Sequence, residues 1–274
     1  EMNKMTPEQA TQNTEKESFN IQKIVVKIGS STITEGGTHR EPLNISLIED
    51  IARQVSILHK NGVEVVIVSS GAVACGRNLL RLKEQNTVDR QMEAAYGQPY
   101  LMRAWIDAFA KEGVKAAQFL ITQKDLSRAK MPLAIAVKYG IPIINENDSV
   151  SIEEMKKFEE TEGEQNSADN DESAKLIAYT AKADTLLLLT DQLGVMDANG
   201  NLVENGHTID ETQLTGKSTT GVGGIQSKIR VAKLTATRLN IHTLIAGAKT
   251  PDVILSVARG KYRGKATSFL VSSK

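Results

Sequence analysis

The densest chemistry in the chain lies between Ile141 and Val150. Ile141, Pro142, Ile143 and Ile144 are apolar and mostly β-branched, whereas Asn145, Glu146, Asn147 and Asp148 can bind cations, amines or waters. A buried strand that opens into such a run is how an open α/β sheet builds a site at the carboxyl end of a strand. Asp169-Asn170-Asp171 follows soon after with the same groups. Three small-residue turns complete the set. Lys27-Ile28-Gly29-Ser30-Ser31 places a cation beside a turn rich in backbone N–H. Ser69-Ser70-Gly71-Ala72 leads into a helix N-terminus, which suits a carboxylate or a phosphate. Residues 221–228 supply a glycine loop, a helix start, and Lys228 one turn into that helix. Two lysines and three anion-ready turns with carboxylates between them suit phosphoryl transfer, where catalysis is mainly positioning and charge neutralisation.

Other phosphate motifs fail on their spacing. Gly216-Lys217-Ser218 looks like the end of a P-loop, but the first glycine would fall at Glu211. Residues 221–224 begin like a dinucleotide fingerprint, but Gln226 holds the last glycine's place and no strand immediately precedes it. Protein-kinase signatures, zinc-spaced His/Cys sets and the Gly-x-Ser-x-Gly elbow are absent. Cys75 reads as a small core residue, Trp105 and Phe109 as core or interface, and the four scattered histidines as non-catalytic.

The elements that must position these groups alternate. Apolar runs at residues 23–28, 65–68, 114–120, 141–145, 185–189, 241–246 and 267–271 read as strands. Helical patterns lie at 45–60, with Asn44 as cap and Asn61-Gly62 as stop, at 89–111, 128–139, 173–180, 224–239 and 251–259. Gly97-Gln98-Pro99 is expected to kink or break the second of these. Residues 32–40 read as a loop or hairpin, 195–203 as a small hairpin around Asn199-Gly200, and 216–224 as a flexible loop. Residues 149–168, rich in glutamate, read as an exposed loop or flap. Strands alternating with helices imply a mostly parallel sheet covered on both faces, an αβα sandwich in the α/β class.

Composition fits that architecture. The chain has 274 residues, 40% hydrophobic and 24% charged, enough to bury a large core without a disulfide or metal staple. With 4% aromatics, the core must be aliphatic. Zero formal net charge argues against nucleic acid or an anionic membrane as the main partner. The single cysteine fits a reducing compartment, and no apolar run approaches the ~20 residues of a membrane span, so a cytoplasmic location is expected. Residues 1–20 read as a polar tail, without the features of a transit or signal peptide, ahead of one domain over 21–274.

Taken in order, these stretches resemble the amino acid kinase family. The likeness is carried by residues 25–30, 68–74, 143–148, 169–171, 188–191 with Gly194, and Gly223-Gly224 with Lys228. It covers about residues 21–270. The Asn-Glu-Asn-Asp and Asp-Asn-Asp runs are closest to the members that phosphorylate the γ-carboxylate of L-glutamate. The resemblance implies a homo-oligomeric enzyme using ATP and Mg²⁺, the metal held largely by ATP oxygens, with proline as a feedback inhibitor acting through the acidic segment. It implies catalytic roles for Lys27, Lys228 and Asp171, the aspartate holding both lysines. Ser70, Asn145, Asp148 and Asn170 would hold the amino acid. Lys27, Gly29, Ser30, Thr190, Asp191, Val222, Gly223, Gly224, Ile225, Gln226, Ser227 and Lys228 would bind the nucleotide. The amino acid half would be N-terminal and the ATP half C-terminal. The chain departs from the family at Ala168, Val222, Ile225 and residues 194–196, and its segment 149–168 is longer than usual. The RNA-binding-like domain found after the kinase domain in many members is not expected here. Alternatives on the same fold are a kinase for another carboxylate, carbamate or phosphate, and a non-catalytic amino acid or nucleotide sensor.

Overall fold

In the computed structural model, which describes residues 20–81, 86–150, 166–209 and 222–271, the apolar runs pair into one seven-stranded sheet. Its strands are β1 (Lys23–Ile28), β2 (Glu64–Ser69), β3 (Ala116–Ile121), β4 (Ile141–Glu146), β5 (Thr185–Thr190), β6 (His242–Gly247) and β7 (Ala266–Phe269). They lie in the order β3-β4-β2-β1-β5-β6-β7, parallel throughout except for the β6–β7 pair. Aliphatic residues on both sides of the pleat suit a sheet buried on both faces, and β5 is buried at every position. The helices are α1 (Ser30–Ile33), α2 (Ile45–Lys60), α3 (Ala72–Leu80), α4 (Thr87–Lys111), α5 (Leu126–Ala136), α6 (Asn166–Thr180), α7 (Val222–Leu239) and α8 (Val253–Ala258).

Two cores separate on the pleat. Ile24, Val26, Ile28, Val65 and Ile67 pack with α2, α3, α4 and α8, among them Trp105 and Phe109, whose rings stack 6.0 Å apart. Val25, Val66, Val68, Ile144 and Leu188 pack with α5, α6 and α7. The fold is therefore the expected αβα sandwich. Lys27 follows Val26 on the strand and shares its face with Val25, beneath α6 and α7. None of the helices among the described residues is long and apolar enough to cross a membrane.

Several boundaries differ from the sequence expectation, each for a physical reason. α4 runs unbroken through Gly97-Gln98-Pro99. Ala95 and Pro99 are both exposed, so the carbonyl that loses its donor faces water. Gly97 is needed for contact: a Cβ there would sit 1.9 Å from the Ala72 carbonyl oxygen, and one at Gly76 would sit 1.8 Å from that of Glu93. The two glycines let α3 and α4 meet backbone to backbone. α6 begins at Asn166, so Asp169-Asn170-Asp171 is helical rather than part of a loop. Asn and Ser at the start and acidic residues in the first turns favour that end of a helix. α7 begins at Val222, placing Gly223 and Gly224 in its first turn and Lys228 nearly two turns in. Residues 30–33 form the short α1 in place of a hairpin start. The hairpin at 195–203 is present, with Met196 bridged to Leu202 and Gly200 at φ 79°. Residues 151–165, most of the acidic segment, and 210–221, most of the glycine-rich loop, lie outside the described residues, as do 1–19.

Candidate functional site

β1 is central: the chain steps from it to β2 on one side and returns to β5 on the other. That reversal places a crevice outside the carboxyl ends of the strands, where α/β sheets bind ligands. Gly29, Ser70, Asp148 and Thr190 all follow or end strands on this edge.

At its floor, Lys27 lies in register between Val68 and Leu188. Asp171 is one turn before Ala174 and two before Ile177 and Ala178, so it projects from the buried face of α6. Lys228 leads the buried series Val231, Ala232, Thr235 and Ala236 on α7. Helical phase thus brings three charges from three elements to one point. Lys228 Nζ donates to Asp171 Oδ2 at 2.8 Å, and Lys27 Nζ lies 2.6 Å from Oδ1. The second contact has the alignment of an ion pair rather than of a directed hydrogen bond. Asp171 is wholly buried, Lys27 is 1% exposed and Lys228 8%. Burial pushes the Asp171 carboxyl upward, but the two ammoniums overcome it and hold the group below the usual carboxylate range. Burial lowers Lys27 to about 8; Asp171 draws it up and Lys228 pushes it further down. The cluster carries one excess positive charge in a site sheltered from water. A methyl at Gly29 would stand 3.7 Å from Lys27 Nζ, so glycine leaves that side of the ammonium uncovered. Ser227 Oγ, next to Lys228, is buried and has no hydrogen-bond partner among the described residues. Such an orphaned donor inside a crevice suits a ligand oxygen.

The other expected residues distribute along the same edge. Ser70 is buried and its N–H donates to the Ile28 carbonyl, tying the turn after β2 to the end of β1. Asn145 is buried near the end of β4, its Nδ2 donating to Gln98 Oε1 of α4 at 2.9 Å. In the sequence Gln98 stands out only as part of Gly97-Gln98-Pro99, and nothing local to that stretch signals its contact with Asn145. Asp148 is partly buried in the turn after β4, and burial followed by the neighbouring Glu146 raises its carboxyl to about 7. No cation pairs with it among the described residues. The buried Thr190 hydroxyl donates to the exposed Asp191 at 3.0 Å. Gly224, Ile225 and Gln226 are partly buried in the first turns of α7, with Val222 and Gly223 preceding them. Asn170 lies on α6, one residue before Asp171. Ser69, by contrast, belongs to the core: its Oγ accepts from the Trp105 indole at 3.0 Å. Cys75 is buried, and burial pushes its thiol up to about 12, away from the reactive thiolate.

Comparison with known proteins places most of the chain. A model described as the amino acid kinase family matches residues 22–247. The chain is similar to a glutamate 5-kinase of Aliivibrio salmonicida, 38% identical over 268 residues, covering 91% of this chain and 68% of that protein. A glutamate 5-kinase of Clostridium acetobutylicum is 34% identical over 279 residues, covering 95% and 98%. One from Methanosarcina barkeri is 36% identical over 267 residues, covering 89% and 67%. With most of the chain matched in order and the buried lysine–aspartate–lysine cluster at the strand ends, this chain belongs to the amino acid kinase family.

Proposed function

We propose that this chain transfers the γ-phosphoryl group of ATP to the γ-carboxylate of L-glutamate, giving γ-glutamyl phosphate and ADP. The buried Lys27–Asp171–Lys228 cluster carries the reading. One carboxylate cannot neutralise two ammoniums, so the pair retains charge for an incoming anion. In the transfer a substrate carboxylate oxygen bonds to the γ-phosphorus while its bond to the β–γ bridging oxygen breaks. Negative charge on the equatorial oxygens and the departing ADP is what Lys27 and Lys228 would meet. Asp171 is a positioning residue in this scheme, since it acts through both lysines. The Gly29-Ser30 turn and the start of α7 would hold phosphates by backbone N–H, with Ser227 as an added donor. ATP enters with its Mg²⁺ as one substrate; among the described residues no group of three or more His, Cys, Asp or Glu gathers to cage the metal.

Asp148 supports an amino acid acceptor. A carboxyl without a cationic partner among the described residues, in the turn after β4 on the strand-end edge that also carries Asn145 and Ser70, offers an ammonium the counter-charge it needs. The similarity to glutamate 5-kinases favours glutamate as the acceptor. Proline inhibition through the acidic segment belongs to the same proposal. The test is ADP release with L-glutamate, compared with L-aspartate, N-acetyl-L-glutamate, carbamate and UMP, with hydroxylamine trapping the acyl phosphate as a hydroxamate. ADP release that ignores L-glutamate, or that is faster with another acceptor, would overturn the assignment.

A further inference from the structure

Away from the crevice, the connection between α1 and α2 and the C-terminal end of α3 enclose an open cleft of about 570 Å³. Thr38, His39 and Arg40 line it from the connection, and Arg77, Asn78 and Arg81 from α3. Among the described residues, no carboxylate lines it. Arg77 reaches the buried Glu93 only by long contacts of 3.3 and 3.4 Å. Arg81 Nη2 sits 2.8 Å from His39 Nδ1, an imidazole nitrogen rather than an anion. Arg40 has no carboxylate partner among the described residues. Several surface cations elsewhere are matched more closely: Arg53 to Asp50 and Asp252 at 2.7 and 2.6 Å, Lys111 to Glu49 at 2.5 Å, and Lys249 to Glu35 at 2.6 Å, although Arg103 meets Asp107 only at 3.4 Å. On a chain of zero net charge, the cleft is a local excess of guanidinium.

The walls are built rather than loose. The Thr38 hydroxyl accepts from the N–H groups of Arg40 and Glu41, at 3.3 and 3.1 Å. The Asn78 side chain donates to the Pro42 carbonyl at 3.4 Å, tying the connection to α3. All three cations are arginines, whose planar forks pair two N–H donors with two oxygens of a carboxylate or phosphate.

We propose that this cleft binds a multivalent oxyanion, a phosphate or a di- or tricarboxylate, at a site separate from the phosphoryl-transfer crevice. The bound anion bridges Arg40 on the connection to Arg77 and Arg81 on α3. Those two elements begin at the crevice, since α1 carries Ser30 and α3 starts just after Ser70 and Gly71. They are packed together there: a Cβ at Gly71 would meet Ile33 Cγ2 at 2.6 Å. An anion that clamps their far ends therefore acts on the KM of the acceptor without competing for its place. That consequence rests on the function proposed above; the binding site does not.

Equilibrium dialysis with labelled inorganic phosphate, and separately with citrate, tests the site in chloride buffer at fixed ionic strength. The intact chain, Arg81→Ala, Arg40→Ala and, as a surface control, Arg103→Ala are compared, each checked for its thermal midpoint. The expected result is one saturable site, weakened about tenfold by loss of either cleft arginine's charge-assisted hydrogen bond, and unchanged in the control. It persists when a non-hydrolysable ATP analogue saturates the crevice. Absence of saturable binding with both probes, equal affinity across the variants, or displacement by the analogue would each overturn the proposal. A failed kinase assay with intact dialysis results would instead count against the function alone.

Discussion

Replacing Asp171 with Asn keeps the shape of the side chain and removes the charge that two buried lysines share. In the native cluster one carboxylate oxygen faces each ammonium, at 2.6 and 2.8 Å. An amide offers one oxygen and one NH₂, so one ammonium is left facing a donor. Both lysines are almost fully buried, and neither can swing to water without leaving the site. Breaking a buried ion pair by removing one partner costs about 3–5 kcal/mol, a large share of the ~5–15 kcal/mol that holds a domain together. Asp171→Asn is therefore expected to lower the urea midpoint sharply with little change in slope. Lys27 already sits at about 8 with Asp171 drawing it upward, so the variant should carry a largely neutral Lys27 at pH 7. Loss of one preorganised charge contact costs about 10²–10³ in kcat. A triple variant, Lys27→Met, Asp171→Leu and Lys228→Met, separates the two effects, because replacing a whole buried ionic group by apolar residues is often neutral or stabilising. It should regain the midpoint and stay inactive. Wild-type midpoint and turnover in Asp171→Asn would refute the electrostatic account of the cluster.

The pH profile of kcat/KM follows from the free enzyme's groups. Under the proposed function Asp148 is ionised to hold an ammonium and Lys27 protonated to meet a phosphate, so activity should fall as pH drops through about 7 and as it climbs through about 8. A flat profile from pH 6 to 9 would exclude both roles. Asp148→Asn should raise the KM for L-glutamate by the ~1.5–3 kcal/mol of a hydrogen bond to a charged group, with the KM for ATP unchanged. The same change should stabilise the fold at pH 8. The raised carboxyl means that the folded chain binds more protons than the unfolded chain between 3.8 and about 7, so stability falls as pH rises through that window. Calorimetric midpoints at pH 5 and pH 8 check the sign. Gln98→Leu leaves Asn145 Nδ2 without its acceptor and should raise the KM for glutamate alone, read by steady-state kinetics in both substrates. Gly97→Ala drives a methyl to 1.9 Å from a backbone oxygen of α3 and should cost about 1–3 kcal/mol or more, measured by urea denaturation.

Much of this molecule is decided locally. Runs such as Lys23–Ile28 and Thr185–Thr190 are too aliphatic and β-branched to be anything but buried strands, and their alternation with amphipathic segments leaves few ways to cover the sheet. Asn44 caps α2 through a bond to the Leu47 N–H, a contact within one turn and so written in the sequence. Lys27, Asp171 and Lys228 are expected as a set from the family resemblance, on motifs far apart in the chain. What sequence could not supply is contact between residues far apart in it. Asp171 meets its two lysines only because the strand pleat and two helical phases point all three to one side of the sheet. Gly97 reads as a breaker until α3 is laid against it, and Gln98 gains a role only when Asn145 arrives from the neighbouring strand. Helix starts at Asn166 and Val222 were missed because local polarity resembles a loop, while packing of Ala174, Ile177 and Ile229 against the sheet makes a longer helix worthwhile. The cleft at Arg40, Arg77 and Arg81 is also tertiary in origin: two segments, each ordinarily charged, become a basic site when folding removes their choice of neighbours.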